Sequence, residues 1–180
     1  GISTKHNPEF TSVEIYQAFS DYVDMMDLTE ELIKDIVSDS CGSLVINYQN
    51  KEIDFSKPWL RISMKDIVQE YTGIDFDSFN GDFQVAKEAV KNINVEFSFK
   101  VNTIGRLLNE VFEQKVEPQL IEPTFVIDYP VEISPLARPH TENKEMVQRF
   151  ELFIFGRELA NAFSELIDPV DQRERMQLQQ

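Results

Sequence analysis

Between Arg149 and Leu166 the chain reads RFELFIFGRELANAFSEL, and this stretch limits the fold more than any other. Phe150, Phe153, Phe155 and Phe163 favour strand, and the Phe155-Gly156 pair suits a tight two-residue turn. The competing structure is an amphipathic helix, because Glu151, Glu158 and Glu165 stand seven residues apart, a spacing that also stacks side chains on one helix face. Gly156 interrupts that helix. In a hairpin, Phe153 sits opposite Glu158 and Glu151 opposite Ala160, so Glu151 and Glu158 project from one face as diagonal neighbours. Two such carboxylates repel unless a cation lies between them, and an oxygen-rich site with one or two carboxylates suits Mg²⁺, especially Mg²⁺ shared with a phosphate-bearing substrate. Past the turn, Leu159, Asn161, Phe163 and Glu165 fall on one face. Strict alternation puts Glu158 on the face opposite Asn161, so if both serve one site either a bulge is needed or they act on different parts of a ligand.

The other informative strand opens the chain. Phe10 to Phe19 reads as a strand running into a helix, with Phe10, Ser12, Glu14 and Tyr16 on one face and Thr11, Val13 and Ile15 on the other. The second face is an ordinary core face. The first is either a solvent-facing sheet surface or a pocket floor whose far end takes a cation, with Glu14 supplying charge and the Tyr16 hydroxyl direction.

Between these ends, helical spacing covers Asp27–Ser38, stopped by Ser40-Cys-Gly. Strands are expected at Leu44–Tyr48 and Pro58–Ser63 around a turn at Gln49-Asn50. Ser63 opens a helix that Gly73 stops. Phe83–Asn94 and Thr103–Gln114 are helical, and Thr124–Ile133 is a strand that Pro130 interrupts. Helices in the middle and strands at both ends make the class α+β, with a mostly antiparallel sheet flanked by helices. One domain spans residues 1–180, with residues 27–120 as a mostly helical subdomain set on the sheet. The formal net charge of −15, from 32 acids against 17 bases, disfavours autonomous binding to nucleic acid. Cys41 is expected as a buried small hydrophobe, Trp59 as core of the middle segment, and His140 as an exposed loop residue. Glu132 and Ser134 either edge the site or sit in a loop. Two histidines and one cysteine make no zinc site. No apolar run is long enough to span a bilayer, and the absence of an initiator Met marks the chain as a piece of something longer.

Three segments, HNPEFTSVEIYQAFSDY, FVIDYPVEISPLARP and RFELFIFGRELANAFSELIDPVDQRER, resemble the catalytic domain of class II lysyl-tRNA synthetases. The resemblance covers nearly the whole chain and is weaker between about Leu44 and Gln119. It implies an antiparallel sheet flanked by helices, and activation of lysine with ATP followed by transfer to tRNA(Lys). By the same resemblance His6 and Asn7 lie in an ATP-contacting loop, and Phe10 stacks on adenine. Glu14, Tyr16 and Glu165 hold the ε-ammonium of lysine, and Asn161 and Phe163 line the amino-acid pocket. Glu151 and Glu158 bind Mg²⁺ bridging the ATP phosphates. Lys5 stands where the family more often has Arg, keeping the charge but losing the bidentate fork.

The family reaction needs no general acid or base, because the attacking lysine carboxylate is already anionic; positioning and charge stabilisation carry it. The family's α-phosphate arginine, its Gly-rich third motif, its dimer-forming first motif and its anticodon-binding domain fall outside the chain. The piece alone is therefore expected to be inactive, and the full-length parent to be a homodimer in the cytoplasm or an organelle. The rivals are a paralogous ligase that attaches lysine to elongation factor P, and a non-catalytic fragment that keeps the fold.

Overall fold

A computed structural model describes residues 7–97 and 99–178. The first helix, α1, runs from Tyr22 to Cys41. Asp21 caps it by accepting from the backbone N–H groups of Val23 and Asp24, while Asp24 accepts from the Asp21 N–H, so two orphan donors are satisfied reciprocally. Gly42, in the left-handed region, ends it, as the Ser40-Cys-Gly signal predicts. A hairpin follows: β1 (Val45–Tyr48) and β2 (Lys51–Asp54) pair around Gln49 and Asn50, both at positive φ. The turn is where the sequence puts it, but its second strand is β2. The expected partner, Pro58–Ser63, narrows to β3 (Leu60–Ser63) and joins a different sheet.

That sheet has the order β3-β4-β5-β6, with β4 spanning Thr124–Pro130, β5 Met146–Ile154 and β6 Arg157–Phe163. β4–β5 and β5–β6 are antiparallel, and β3 pairs parallel with β4 across a long helical crossover. The crossover holds α2 (Met64–Thr72), capped by Ser63 and stopped by Gly73; α3 (Phe83–Lys91), capped by Asp82; and α4 (Ile104–Val111), capped by Thr103. α4 runs on as a wider π turn, Phe112–Val116, and a 3-10 turn, Glu117–Gln119. The last helix, α5, spans Pro169–Leu178. Among the described residues no helix is long and apolar enough to cross a membrane.

The two faces of the sheet bury different cores. Phe150, Leu152 and Ile154 of β5 point, with Phe125 and Trp59, at α1 and the β1–β2 hairpin. Val147 and Phe153 point the other way, into the cluster built by α2, α3, α4 and the π turn. Arg149 and Glu151 lie between them on that second face and break its apolar run.

Three expectations need correction. Phe10–Phe19 forms no strand: the segment is irregular, it ends in a turn with Phe19 at φ 60°, and its side chains are largely exposed. No described residue pairs with its backbone, and an unpaired strand has nothing to satisfy its N–H and C=O groups except water. Cys41 is exposed at the end of α1. His140 is half-buried: its Nε2 lies 2.8 Å from Asp128 Oδ1, and its ring meets Tyr22 edge-on at 5.9 Å.

Candidate functional site

The site begins with a turn and two irregularities. Phe155 and Gly156 close the β5–β6 hairpin at φ 54° and 63°, and their N–H groups donate to Ile121 and Leu120. Phe153 faces Glu158, as expected. The register then slips, so that Leu152 faces Ala160 and Glu151 faces Asn161 rather than Ala160. Leu159 is the extra residue. Because opposite residues share a face, this bulge brings Glu158 onto the same face as Asn161, Phe163, Glu151 and Arg149. A second slip, between β4 and β5 beyond Ile127, turns Tyr129 to this face too; strict alternation would leave it with Phe125 on the other.

Arg149 organises what results. Its Nη2 donates to Glu151 Oε1 at 2.5 Å, its Nε to Asn161 Oδ1 at 3.1 Å, and its Nη1 to Ser134 Oγ at 2.8 Å and Ile133 O at 3.3 Å. Its guanidinium lies 4.6 Å from the centre of the Tyr129 ring. The Tyr129 hydroxyl donates to the other Glu151 oxygen at 2.9 Å. The Glu158 carboxylate makes no hydrogen bond among the described residues. Arg149, Tyr129, Glu151 and Glu158, with Glu113 and Glu117 from the π and 3-10 turns, line a crevice of about 300 Å³.

Four carboxylates against one arginine leave the crevice short of positive charge. Burial pushes Glu151 up to about 7; Arg149 pulls it down, Glu158 and Glu117 push it up, and the Tyr129 hydrogen bond lowers it. Glu158 is raised by desolvation of its inner side and by Glu117, against Arg149. Burial is the first cause for Tyr129 as well, which is driven well above the usual phenol range, with Glu151 adding to it. Two oxygen-donor groups on one face, both easier to protonate than usual, fit a hard cation that takes part of its coordination from a ligand. Glu151 and Glu158 would hold it.

The second cavity, of about 660 Å³, lies along the outer edge of β6 and is lined by Glu14, Tyr16, Asn161, Phe163 and Glu165. Asp21, Ser164 and Arg138 complete its wall. Ser164 is buried and accepts from the Tyr22 N–H at 3.1 Å. Arg138 Nε donates to the Glu165 carbonyl at 3.1 Å, and Ala137 bridges Glu165 through the backbone. Arg175 of α5 braces the same loop by donating to the Ala137 carbonyl at 3.0 Å.

All five residues assigned to the amino-acid pocket therefore share one cavity, and Glu151 and Glu158 share the neighbouring crevice. Asn7 and Phe10 are exposed and line neither. His6 and Lys5 lie outside the described residues. Ser134 reaches the site through Arg149, whereas the Glu132 carboxylate packs against Gly105 in a separate cavity of about 710 Å³. Sequence reasoning missed Arg149 as a site residue, although its i, i+2 relation to Glu151 in an apolar strand is legible as an ion pair on one face. Tyr129, Glu113 and Glu117 carry no such signal, because the pairing of β4 with β5 and the π turn bring them in.

A family model described as class II tRNA synthetases (D, K and N) matches residues 1–180. Lysine–tRNA ligases of Prochlorococcus marinus strains MIT 9301 and MIT 9312 are 88% and 89% identical to the chain over 180 residues. That of strain MIT 9211 is 59% identical. Each alignment covers 100% of this chain but only 35%, 35% and 36% of the relative, so the chain spans about a third of the length of the curated relatives it matches.

Proposed function

We propose, since the chain belongs to the class II tRNA synthetase family (D, K and N), that the whole protein is a lysine–tRNA ligase and that these residues hold its amino-acid pocket and metal-binding carboxylates. The observation that carries this reading is the convergence of Glu14 and Tyr16 with Asn161, Phe163 and Glu165 on one cavity from opposite ends of the chain. Acids at its wall suit the ε-ammonium of lysine. A neutral side chain would leave those carboxylates unpaired, an asymmetry that gives strong discrimination.

In this reading the lysine carboxylate attacks the α-phosphorus of ATP in line and displaces pyrophosphate, and lysyl-adenylate then passes its lysyl group to a ribose hydroxyl of tRNA(Lys) with release of AMP. No residue of the two cavities needs to move a proton in the first step; the chain's own part is to orient lysine and exclude neutral competitors. Glu151 and Glu158 would hold Mg²⁺, which would supply charge neutralisation at the ATP phosphates. With 32 acidic against 17 basic residues, this chain offers little to an RNA backbone, so tRNA docking draws mainly on the rest of the whole protein.

Lysine-dependent ATP–pyrophosphate exchange by the whole protein is the direct assay. Glu14→Gln is expected to raise the KM for lysine by about tenfold or more while leaving that for ATP nearly unchanged. An unaltered lysine KM sinks the pocket assignment, and no lysine-dependent exchange by the unmodified protein sinks the function.

A further inference from the structure

We propose that Arg149 is a positioning residue shared by the two cavities: it turns the Asn161 amide so that a donor faces the amino-acid pocket, and it holds Glu151 in place for the cation. The inference builds on the lysine and Mg²⁺ assignments above.

A guanidinium has N–H donors and no acceptor. With Arg149 Nε 3.1 Å away, the amide atom facing it is the Asn161 oxygen, and Nδ2 is the atom left for the cavity that Asn161 lines. Glu14, Tyr16 and Glu165 serve the cationic end of an amino acid. Its carboxylate, which those acids repel, finds in Asn161 Nδ2 a neutral donor. Arg149 is itself held in one orientation. All three of its nitrogens donate, to Asn161, Ser134, Ile133 and Glu151; its plane rests on Tyr129; and its side chain is only 15% exposed. Through this one planar group the metal-binding Glu151 and the pocket-lining Asn161 share a fixed support. A lysine ammonium at the same place is a point donor on a flexible stem, and it reaches one of the two partners, not both in fork geometry.

The test uses the whole protein and two binding readouts that need no turnover. Lysine affinity is measured by calorimetry without ATP or metal, and the Mg²⁺ requirement by titrating Mg²⁺ into protein with a non-hydrolysable ATP analogue. Arg149→Lys is expected to weaken lysine binding by about tenfold, the loss of one charge-assisted hydrogen bond, and to raise the Mg²⁺ midpoint. In an Asn161→Ala background the same substitution is expected to change lysine affinity no further while still moving the Mg²⁺ midpoint, because its effect on lysine runs through Asn161. A merely structural role predicts the same extra loss of lysine affinity in both backgrounds, and that result overturns the proposal. So does lysine affinity within about twofold of the unmodified protein, less than one hydrogen bond is worth. Should Arg149→Lys fail to fold, Ser134→Ala removes one anchor of the guanidinium and is expected to shift both readouts in the same direction by less; no shift in either overturns the proposal. Unmodified protein that binds no lysine brings down the functional reading first, and this inference with it.

Discussion

The opening segment and the closing hairpin both read as strands in the sequence and reach opposite structural outcomes. Both mix aromatic, aliphatic and acidic residues, and both contribute to the second cavity. In the hairpin Phe150 and Phe153 are 0% and 1% exposed, and the backbone pairs along β5 and β6. In the opening segment Phe10 is 79% and Tyr16 82% exposed, and no backbone pairing holds either among the described residues. Alternation describes a surface that fits a sheet; a strand also needs a partner for its backbone. The hairpin finds one two residues away across the turn at Phe155-Gly156, whereas the opening segment has no local partner. The pocket is therefore asymmetric. Glu165 is backed by β6, Arg138 and Ala137, while Glu14 and Tyr16 stand on a wall that no hydrogen bond ties down among the described residues.

The comparison can be broken or sharpened in stability measurements on the whole protein. The largest effect is expected from Phe150→Ala, about 3–5 kcal/mol of destabilisation from a large buried ring and the cavity it leaves, read from denaturant unfolding. A loss under about 1 kcal/mol, the scale of ordinary surface changes, would show that β5 is not the buried centre of the sheet.

Glu151 gives the next effect through pH. Its folded-state value, about 7, lies above the usual 4.5, so between these values the folded state binds more protons than the unfolded one. Stability then falls as pH rises from about 4.5 through 7, by at most about 3 kcal/mol from this group. Arg149, Glu158, Glu117 and Tyr129 face Glu151 and set that slope. Metal-free Glu151→Gln, which mimics the protonated form, should lose the slope, so its melting temperature relative to the unmodified protein should rise between pH 5 and pH 8. A constant difference across that range would place Glu151 outside the charged crevice.

Gly156→Ala tests the hairpin's turn. A side chain at φ 63° costs about 1–2 kcal/mol, and the added Cβ would also come within 3.3 Å of Glu117 and Pro118. A neutral outcome in thermal unfolding would mean that the turn relaxes without the positive φ. The smallest effect belongs to Phe10→Ala, expected within about 0.5 kcal/mol. A loss comparable to that of Phe150→Ala would mean that the opening segment is packed as tightly as the hairpin, and the contrast between the two regions would collapse.

Much of the local structure was legible because its causes are local. Ser63 and Gly73 bound α2 through a hydroxyl cap and a left-handed stop, Gln49-Asn50 turns the first hairpin, and Phe155-Gly156 turns the second. The parallel pairing of β3 with β4 was not legible. Nothing in Leu60–Ser63 reveals that its partner lies beyond the crossover that holds α2, α3 and α4. The strand expected at Phe10–Phe19 failed for the complementary reason, since propensity and alternation carry no information about whether a partner is present.

The site divides along the same line. By itself the sequence determined that Glu151 and Glu158 flank a turn on strands rather than one helix face, because turn chemistry is a property of a few consecutive residues. Only the tertiary structure decided that Glu151 faces Asn161, that Tyr129 turns toward Glu151, and that Arg149 joins the two cavities. Those facts rest on two register slips. A slip is set by how a strand fits its neighbours, by packing against the helices on one face and α1 on the other, and by the ties from the hairpin tip to Leu120 and Ile121.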